Sequence, residues 1–163
     1  MKKVIPIMRL AGKFTTIHRA VLNNEGRYEN DTEHSYQLAL VCWSTNHAYN
    51  LGLQDELLLK FALAHDLVEV YAGDTDSHGD KAKIAAKKAN EAKALEMLRS
   101  DFAEHQDLLQ TIDDYQGLQC VEAQLVYMMD KLLPSINIFD RGDPYCQERK
   151  LDVVQWKQWM ISK

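Results

Sequence analysis

An all-α domain is what this sequence predicts, and three observations carry that expectation. Only 7 glycines and 3 prolines interrupt 163 residues, so long stretches lack the residues that break helices. Apolar residues come in extended blocks, and nowhere does apolar–polar alternation persist long enough to define a confident strand. Between those blocks the chain is rich in Ala, Leu, Lys and Glu, which lose little on entering a helix. The length suits one domain over residues 1–163, a compact bundle of about six or seven helices with a real core.

The elements follow in order. A short helix is expected from Ile7 to about Val21, then a turn at Asn23-Asn24-Glu25-Gly26. Asp31 or Thr32 is a suitable N-cap for a helix from Glu33 to about Tyr49, which Asn50-Leu51-Gly52 ends. Glu56 to Tyr71 is apolar on nearly every side and therefore central, although His65, Asp66 and Glu69 are set into it. Gly73 stops it, and Asp74 to Asp80 reads as a polar loop. Lys81 to Phe102 forms an amphipathic helix with Ile84, Leu95, Met97 and Leu98 on its inner side. A further apolar helix spans about Leu118 to Phe139, with Asp130 near its middle and a kink expected at Pro134. A loop over residues 140–144 leads to a last helix, Tyr145 to Met160.

Composition excludes several classes of function. A net charge of −5 is the wrong sign for a general nucleic-acid binder, which needs a basic face. A local basic pocket for a small charged substrate remains compatible with it. Cys42, Cys120 and Cys146 show no paired spacing, so they read as reduced, mostly buried thiols rather than a zinc ribbon or disulfide framework. The opening residues are interrupted by Arg9 and Lys13 before any signal-like apolar core develops, and no apolar run approaches membrane-spanning length. A cytoplasmic protein with no membrane partner is expected.

The chemistry begins with a burial problem. His65, Asp66 and Asp130 lie among apolar neighbours, where an unpaired carboxylate costs several kcal/mol or takes up a proton. A bound cation explains two such acids and a histidine together. Imidazole and carboxylate ligands suit one divalent ion such as Mn, Co, Fe, Ni or Zn. Such an ion would acidify a water and polarise a phosphorus centre. Glu69 lies four residues after His65 and three after Asp66, so it projects on their side of a helix and can hold or deprotonate that water. Asp74, just past Gly73, is placed to orient the same water or protonate a leaving alkoxide. For phosphate there are Arg19 and Arg27 ahead of the His34 helix, and Lys81 after the Asp74 loop.

Three segments then carry a resemblance: Arg27-Tyr28-Glu29-Asn30-Asp31-Thr32-Glu33-His34-Ser35, the run from Ala64-His65-Asp66 through Glu69 to Gly73-Asp74, and Met129-Asp130-Lys131. In this order they resemble the HD-domain superfamily, and most closely its 5'-deoxynucleotidases, whose pattern reads R-x-E-N-x-[ST]-E-H-S, then H-D-x-x-E-x-x-x-G-D, then a late D. The resemblance implies that His34, His65, Asp66 and Asp130 bind the metal, that Glu69 and Asp74 are catalytic, and that Arg19 contacts a 5'-phosphate. It further implies a helical cytosolic enzyme, frequently a homodimer, hydrolysing deoxyribonucleoside 5'-monophosphates. Two positions depart from the pattern: Ala20 stands where relatives carry an aromatic residue, and Thr75-Asp76-Ser77-His78-Gly79-Asp80 replaces a Pro-containing loop.

Rival readings of the same residues remain. A deoxynucleoside triphosphate or alarmone-type hydrolase would use the same metal core. A non-catalytic nucleotide- or partner-binding module would keep the metal but has no need of both Glu69 and Asp74. His47, His78 and His105 read as surface or loop histidines and His18 as a structural one beside Arg19. Trp43, Trp156 and Trp159 read as core or dimer contact.

Overall fold

The computed structural model describes residues 1, 3–23, 25–76, 81–141, 144–150, 152, 154–155 and 158. Within them the chain forms α1 (Val4–Phe14), an antiparallel hairpin of β1 (His18–Leu22) and β2 (Tyr28–Asn30), then α2 (Asp31–Ala48), α3 (Asp55–Ala64), α4 (Glu69–Ala72), α5 (Lys81–Asp101), α6 (Gln106–Gly117), α7 (Val121–Arg141) and α8 (Tyr145–Glu148). The all-α expectation holds for the architecture, with one small two-stranded sheet attached. No helix among the described residues is long and apolar enough to cross a membrane.

The centre is a packing of α2, α3 and α7. Leu38 and Cys42 from α2, Leu58, Phe61 and Ala62 from α3, and Ala123 and Val126 from α7 form one apolar cluster, with Tyr115 of α6 at its edge. A second cluster joins Leu10 of α1, Ala64, Leu98 of α5, Phe102, and Leu109 and Ile112 of α6. Polar contacts lock the α2–α3 turn onto this core. The Asn46 amide donates to the Leu53 carbonyl at 2.9 Å and to Asp55 at 2.7 Å, while the Gln54 N–H donates to the buried Glu122 at 3.1 Å. α7 runs unbroken through Pro134.

Several elements depart from the sequence expectations, each for a local reason. The first helix stops at Phe14 rather than near Val21. The hydroxyls of Thr15 and Thr16 bond back to the carbonyls of Gly12 and Lys13, both at 2.7 Å, and His18–Leu22 pairs with Tyr28–Asn30 instead. Gly26, at φ 76°, and the Asn23 side chain, which accepts from the N–H groups of Glu25 and Arg27, shape the turn. The α2 N-cap is Asn30, not Asp31 or Thr32: Asn30 Oδ1 accepts from the Glu33 N–H and the Glu33 carboxylate accepts from the Asn30 N–H, a reciprocal capping box. The Gln106–Gly117 helix, α6, was not foreseen. Trp43 is 46% exposed and so not core. Trp156, Trp159 and His78 lie outside the described residues, as does part of the expected helix from Tyr145 to Met160.

Candidate metal centre and active site

The expected helix from Glu56 to Tyr71 is broken where the chemistry lies. α3 ends at Ala64, and the N–H groups of Leu67, Glu69, Val70 and Tyr71 each reach the carbonyl three residues back, at 2.8–3.3 Å. In such tight turns residues three apart eclipse, so Asp66 and Glu69 fall on one side. Gly73, at φ 73°, then turns the chain sharply, which favours a residue without Cβ. α2 supplies His34 from its first turns, α7 supplies Asp130, and β1 supplies Arg19.

These side chains converge. His34, His65, Asp66 and Asp130 each offer a ligand atom, and the four atoms lie within 4.8 Å of one another. His34 Nε2 is 2.9 Å from Asp130 Oδ1. His65 Nε2 is 2.9 Å from Asp66 Oδ2 and 3.7 Å from Asp130 Oδ1. His34 is fully buried, His65 and Asp130 nearly so.

The tautomer of His65 tests whether this set fits a metal. Its Nδ1 lies 2.9 Å from the Ala62 carbonyl oxygen, which can only accept, so that nitrogen carries the proton. A neutral ring then turns a bare lone pair on Nε2 toward two carboxylates. Lone pair facing carboxylate is repulsive unless a proton or a cation lies between them. A backbone carbonyl fixing one imidazole nitrogen while the other is left to ligate is the usual support of a metal-bound histidine. His65 Nε2 is buried with no donor facing it, and His34 Nε2 faces Asp130 while its Nδ1 looks away toward Glu29 at 3.5 Å. The donor set fits a divalent first-row cation.

Arg19 spans the carboxylates. Its Nη1 is 2.8 Å from Asp66 Oδ2 and 3.5 Å from Asp31 Oδ1; Nη2 is 3.9 Å from Asp130, and Nε is 3.7 Å from Glu29. Lys131 Nζ reaches Asp130 Oδ2 at 2.5 Å and sits over the Tyr127 ring. Burial alone would lift the Asp66 and Asp130 carboxyls, but both are held below the usual carboxylate range. His65 chiefly does this for Asp66, and Lys131 with the two imidazoles for Asp130. The Arg19 guanidinium stays charged, because its acidic neighbours outweigh its desolvation. On the other side, burial together with repulsion from Asp66 pushes Asp31 up to about 7 and raises Glu69 well above its ordinary range, and burial with Asp66 also lifts Asp74.

A cavity of about 520 Å³ opens beside this cluster, bordered by Arg19, His65, Asp66, Glu69, Asp74 and Asp130. Lys87, Lys88 and Lys131 bring positive charge to its wall, and Tyr115, Tyr127 and Tyr145 bring rings.

Of the residues expected from sequence, the structure brings together Arg19, His34, His65, Asp66, Glu69, Asp74 and Asp130. Arg27 is not brought in. It is half exposed, its guanidinium bound to Glu33 and to Glu25, and it braces the capping box rather than lining the cavity. Lys81 begins α5, but its side chain lies outside the described residues. Sequence reasoning missed Glu29, Asp31, Lys131, Lys87 and Lys88. Asp31 was legible: an Asn three residues before a Glu is itself a capping-box signal, which frees Asp31 to point inward.

A small helical domain with two buried imidazoles and two carboxylates on a single point, beside a cavity with cationic walls, defines a metal-binding hydrolase-like scaffold. The HD-domain family model matches residues 11–159, and the chain belongs to that family. A crystal structure described as a predicted metal-dependent phosphohydrolase from Magnetospirillum magnetotacticum is 27% identical with a TM-score of 0.66, covering 85% of this chain and 72% of its own. A conserved hypothetical protein from Pyrococcus furiosus is 26% identical with a TM-score of 0.65, covering 97% of this chain and 96% of its own. No curated protein matches the sequence.

Proposed function

We propose that this protein is a metal-dependent phosphohydrolase acting on nucleotides, and that its substrate is a deoxyribonucleoside 5'-monophosphate. The observation that carries the metal half of this reading is the bare Nε2 of His65, facing Asp66 and Asp130 with its other nitrogen committed to the Ala62 carbonyl. His34, His65, Asp66 and Asp130 would hold the cation, which when bound supplies Lewis acidity to phosphoryl transfer. Membership of the HD-domain family and the likeness to a predicted metal-dependent phosphohydrolase support the same class.

The chain's own groups perform the rest. Arg19 is anchored by Glu29 and Asp31 and presents N–H donors to a phosphate entering over Asp66. Glu69 is almost wholly buried beside Asp31 and borders the cavity. As a carboxylate it accepts the proton of the attacking water. Asp74, whose carboxyl is shifted upward by burial and Asp66, would return one to the leaving oxygen. The cavity has the size of ordinary small-molecule pockets, roughly 300–1,000 Å³, and its tyrosines offer faces for a base. Lys87 and Lys88 on its wall favour a second reading, in which additional phosphates are gripped and the substrate is a triphosphate.

A phosphate-release assay on metal-free protein, reloaded with Mn or Co and offered mono-, di- and triphosphates, tests the reading. Orthophosphate from deoxynucleoside monophosphates is expected. Pyrophosphate or triphosphate release selects the second reading, and metal binding without turnover of any nucleotide refutes both.

A further inference from the structure

Residues 74–76 carry Asp74 yet lie outside any helix or strand, beyond the turn at Gly73. A side chain on such a stretch is held to a reacting atom only as well as its surroundings hold the backbone. Here the hold comes from α8 and the residue after it. Asp76 Oδ1 accepts from the Tyr145 hydroxyl at 2.6 Å, and Asp76 Oδ2 accepts from Arg149 Nε at 2.6 Å. The Arg149 guanidinium in turn lies over the Tyr145 ring, 3.8 Å from its centroid. The side chains of Asp76 and Arg149 are each 19% exposed and Tyr145 is buried, so this pair escapes the solvent screening that weakens surface ion pairs. Burial and the bond to Asp76 keep the Tyr145 hydroxyl protonated, and therefore a donor.

The clasp also meets the site from two other directions. Tyr145 packs with Val21 and Ile138, and Ala20 lies at the edge of that cluster. Ala20 and Val21 follow Arg19 on β1, and Ile138 lies about two turns beyond Asp130 on α7. One ring thus joins the strand of Arg19, the helix of Asp130 and, through Asp76, the loop of Asp74. Asp74, Asp76 and Tyr145 border the cavity, and Asp74 interacts electrostatically with both of the others. Two residues of chain span at most about 7 Å, so fixing Asp76 leaves Asp74 little room to move.

We propose that Asp76, Tyr145 and Arg149 are positioning residues, a clasp that holds the Asp74 loop so that the Asp74 carboxyl meets the leaving oxygen. None of the three touches the reacting atoms in this role. As the water oxygen bonds to phosphorus, Glu69 takes its proton. The bond from phosphorus to the 5'-oxygen breaks, and that oxygen keeps the electron pair and takes the Asp74 proton. The clasp rests on the reading of Asp74 as that proton donor, and its test separates the two.

The Mn-loaded full chain is assayed with a deoxynucleoside 5'-monophosphate and with its analogue carrying sulfur in place of the bridging 5'-oxygen. The thiolate leaving from the analogue is far less basic than an alkoxide and departs without a proton. Asp74→Asn is expected to lose much more kcat on the oxygen ester than on the sulfur ester. Asp76→Ala should share that selectivity, its kcat on the oxygen ester falling roughly 10²-fold with KM nearly unchanged. Arg149→Met should show it at about tenfold, the loss of one charge-assisted hydrogen bond. Circular dichroism checks both folds, and Arg149→Met carries the test should Asp76→Ala not fold. Equal losses on the two esters in these variants, or no loss, overturn the positioning role while a selective Asp74→Asn keeps Asp74 as the donor. An Asp74→Asn without selectivity overturns the reading of Asp74, and the clasp's role with it. A wild type that turns over neither ester overturns the nucleotidase reading and both roles.

Discussion

Asp66 and Asp130, and their neighbours Asp31, Glu69 and Asp74, are all withdrawn from water, yet the carboxyls of the two groups shift in opposite directions. The first pair faces His34, His65 and Lys131 and is held anionic. The second group faces mainly other carboxylates and is pushed toward the protonated state. Burial acts on both groups alike, so the partners decide. One half of the site is preset as an anionic cage for a cation. The other is a proton reservoir.

That contrast can be broken residue by residue. The largest effect is expected at the cage. Asp130→Asn removes charge from the atom that both imidazoles face, and should abolish phosphate release and tight metal binding together, read by turnover and by bound metal in one preparation. Glu69→Gln comes next. On the reading of Glu69 as proton acceptor, kcat should fall by about 10²–10⁴-fold while the metal stays bound; full activity would remove Glu69 from the chemistry. Arg19→Ala should act on binding, raising KM for the nucleotide by roughly 10–100-fold, the equivalent of one charge-assisted hydrogen bond. Equal KM in the two proteins would move the phosphate elsewhere.

Stability supplies the subtler tests. In metal-free protein Asp31 titrates near 7 rather than 3.8. The unfolded chain has lost that proton across the interval between those values while the folded chain keeps it, so Asp31 contributes stability that falls as pH rises through this window. Glu69 and Asp74 are shifted in the same direction and add to the fall. Asp66 and Asp130, shifted downward, contribute stability that is present above the ordinary carboxylate range and lost as pH drops through their folded values. Melting scans of chelator-treated protein should therefore show Tm declining from pH 5 to 8, and added Mn should offset the decline. A flat profile would mean that Asp31 is not held protonated. The smallest effect is expected at Asn30. Asn30→Ala breaks the capping box and should destabilise by about 1 kcal/mol in a denaturant titration, with only a minor change in turnover.

Those two halves were not equally legible in the sequence. The cage was readable because charge on apolar helices is conspicuous: His65, Asp66 and Asp130 stand out against Phe61, Ala64, Val126 and Met129. The reservoir was half hidden. Glu69 and Asp74 followed from spacing, but Asp31 was absorbed into a capping role that belongs to Asn30. Spacing also presumed a continuous helix through Glu69, whereas the chain tightens after Ala64; the outcome on the Asp66 side was right for a different geometric reason. Periodicity did not reveal the hairpin, since Ile17 to Leu22 is too short to distinguish a strand from a helix end. The α6 helix escaped because its inner face rests on Leu109, Ile112 and Tyr115, with Leu108 beside them, among seven polar residues and a glycine. Lys87, Lys88 and Lys131 needed the tertiary fold, because nothing local separates a lysine on a cavity wall from one in solvent.

Crystals of metal-free protein soaked in Mn, with anomalous scattering measured at the Mn edge, test the convergence of His34, His65, Asp66 and Asp130 most directly. A peak at bonding distance from both imidazoles and both carboxylates is the predicted result. Mn bound only at the surface, or absent from this cluster at saturating concentration, would contradict it.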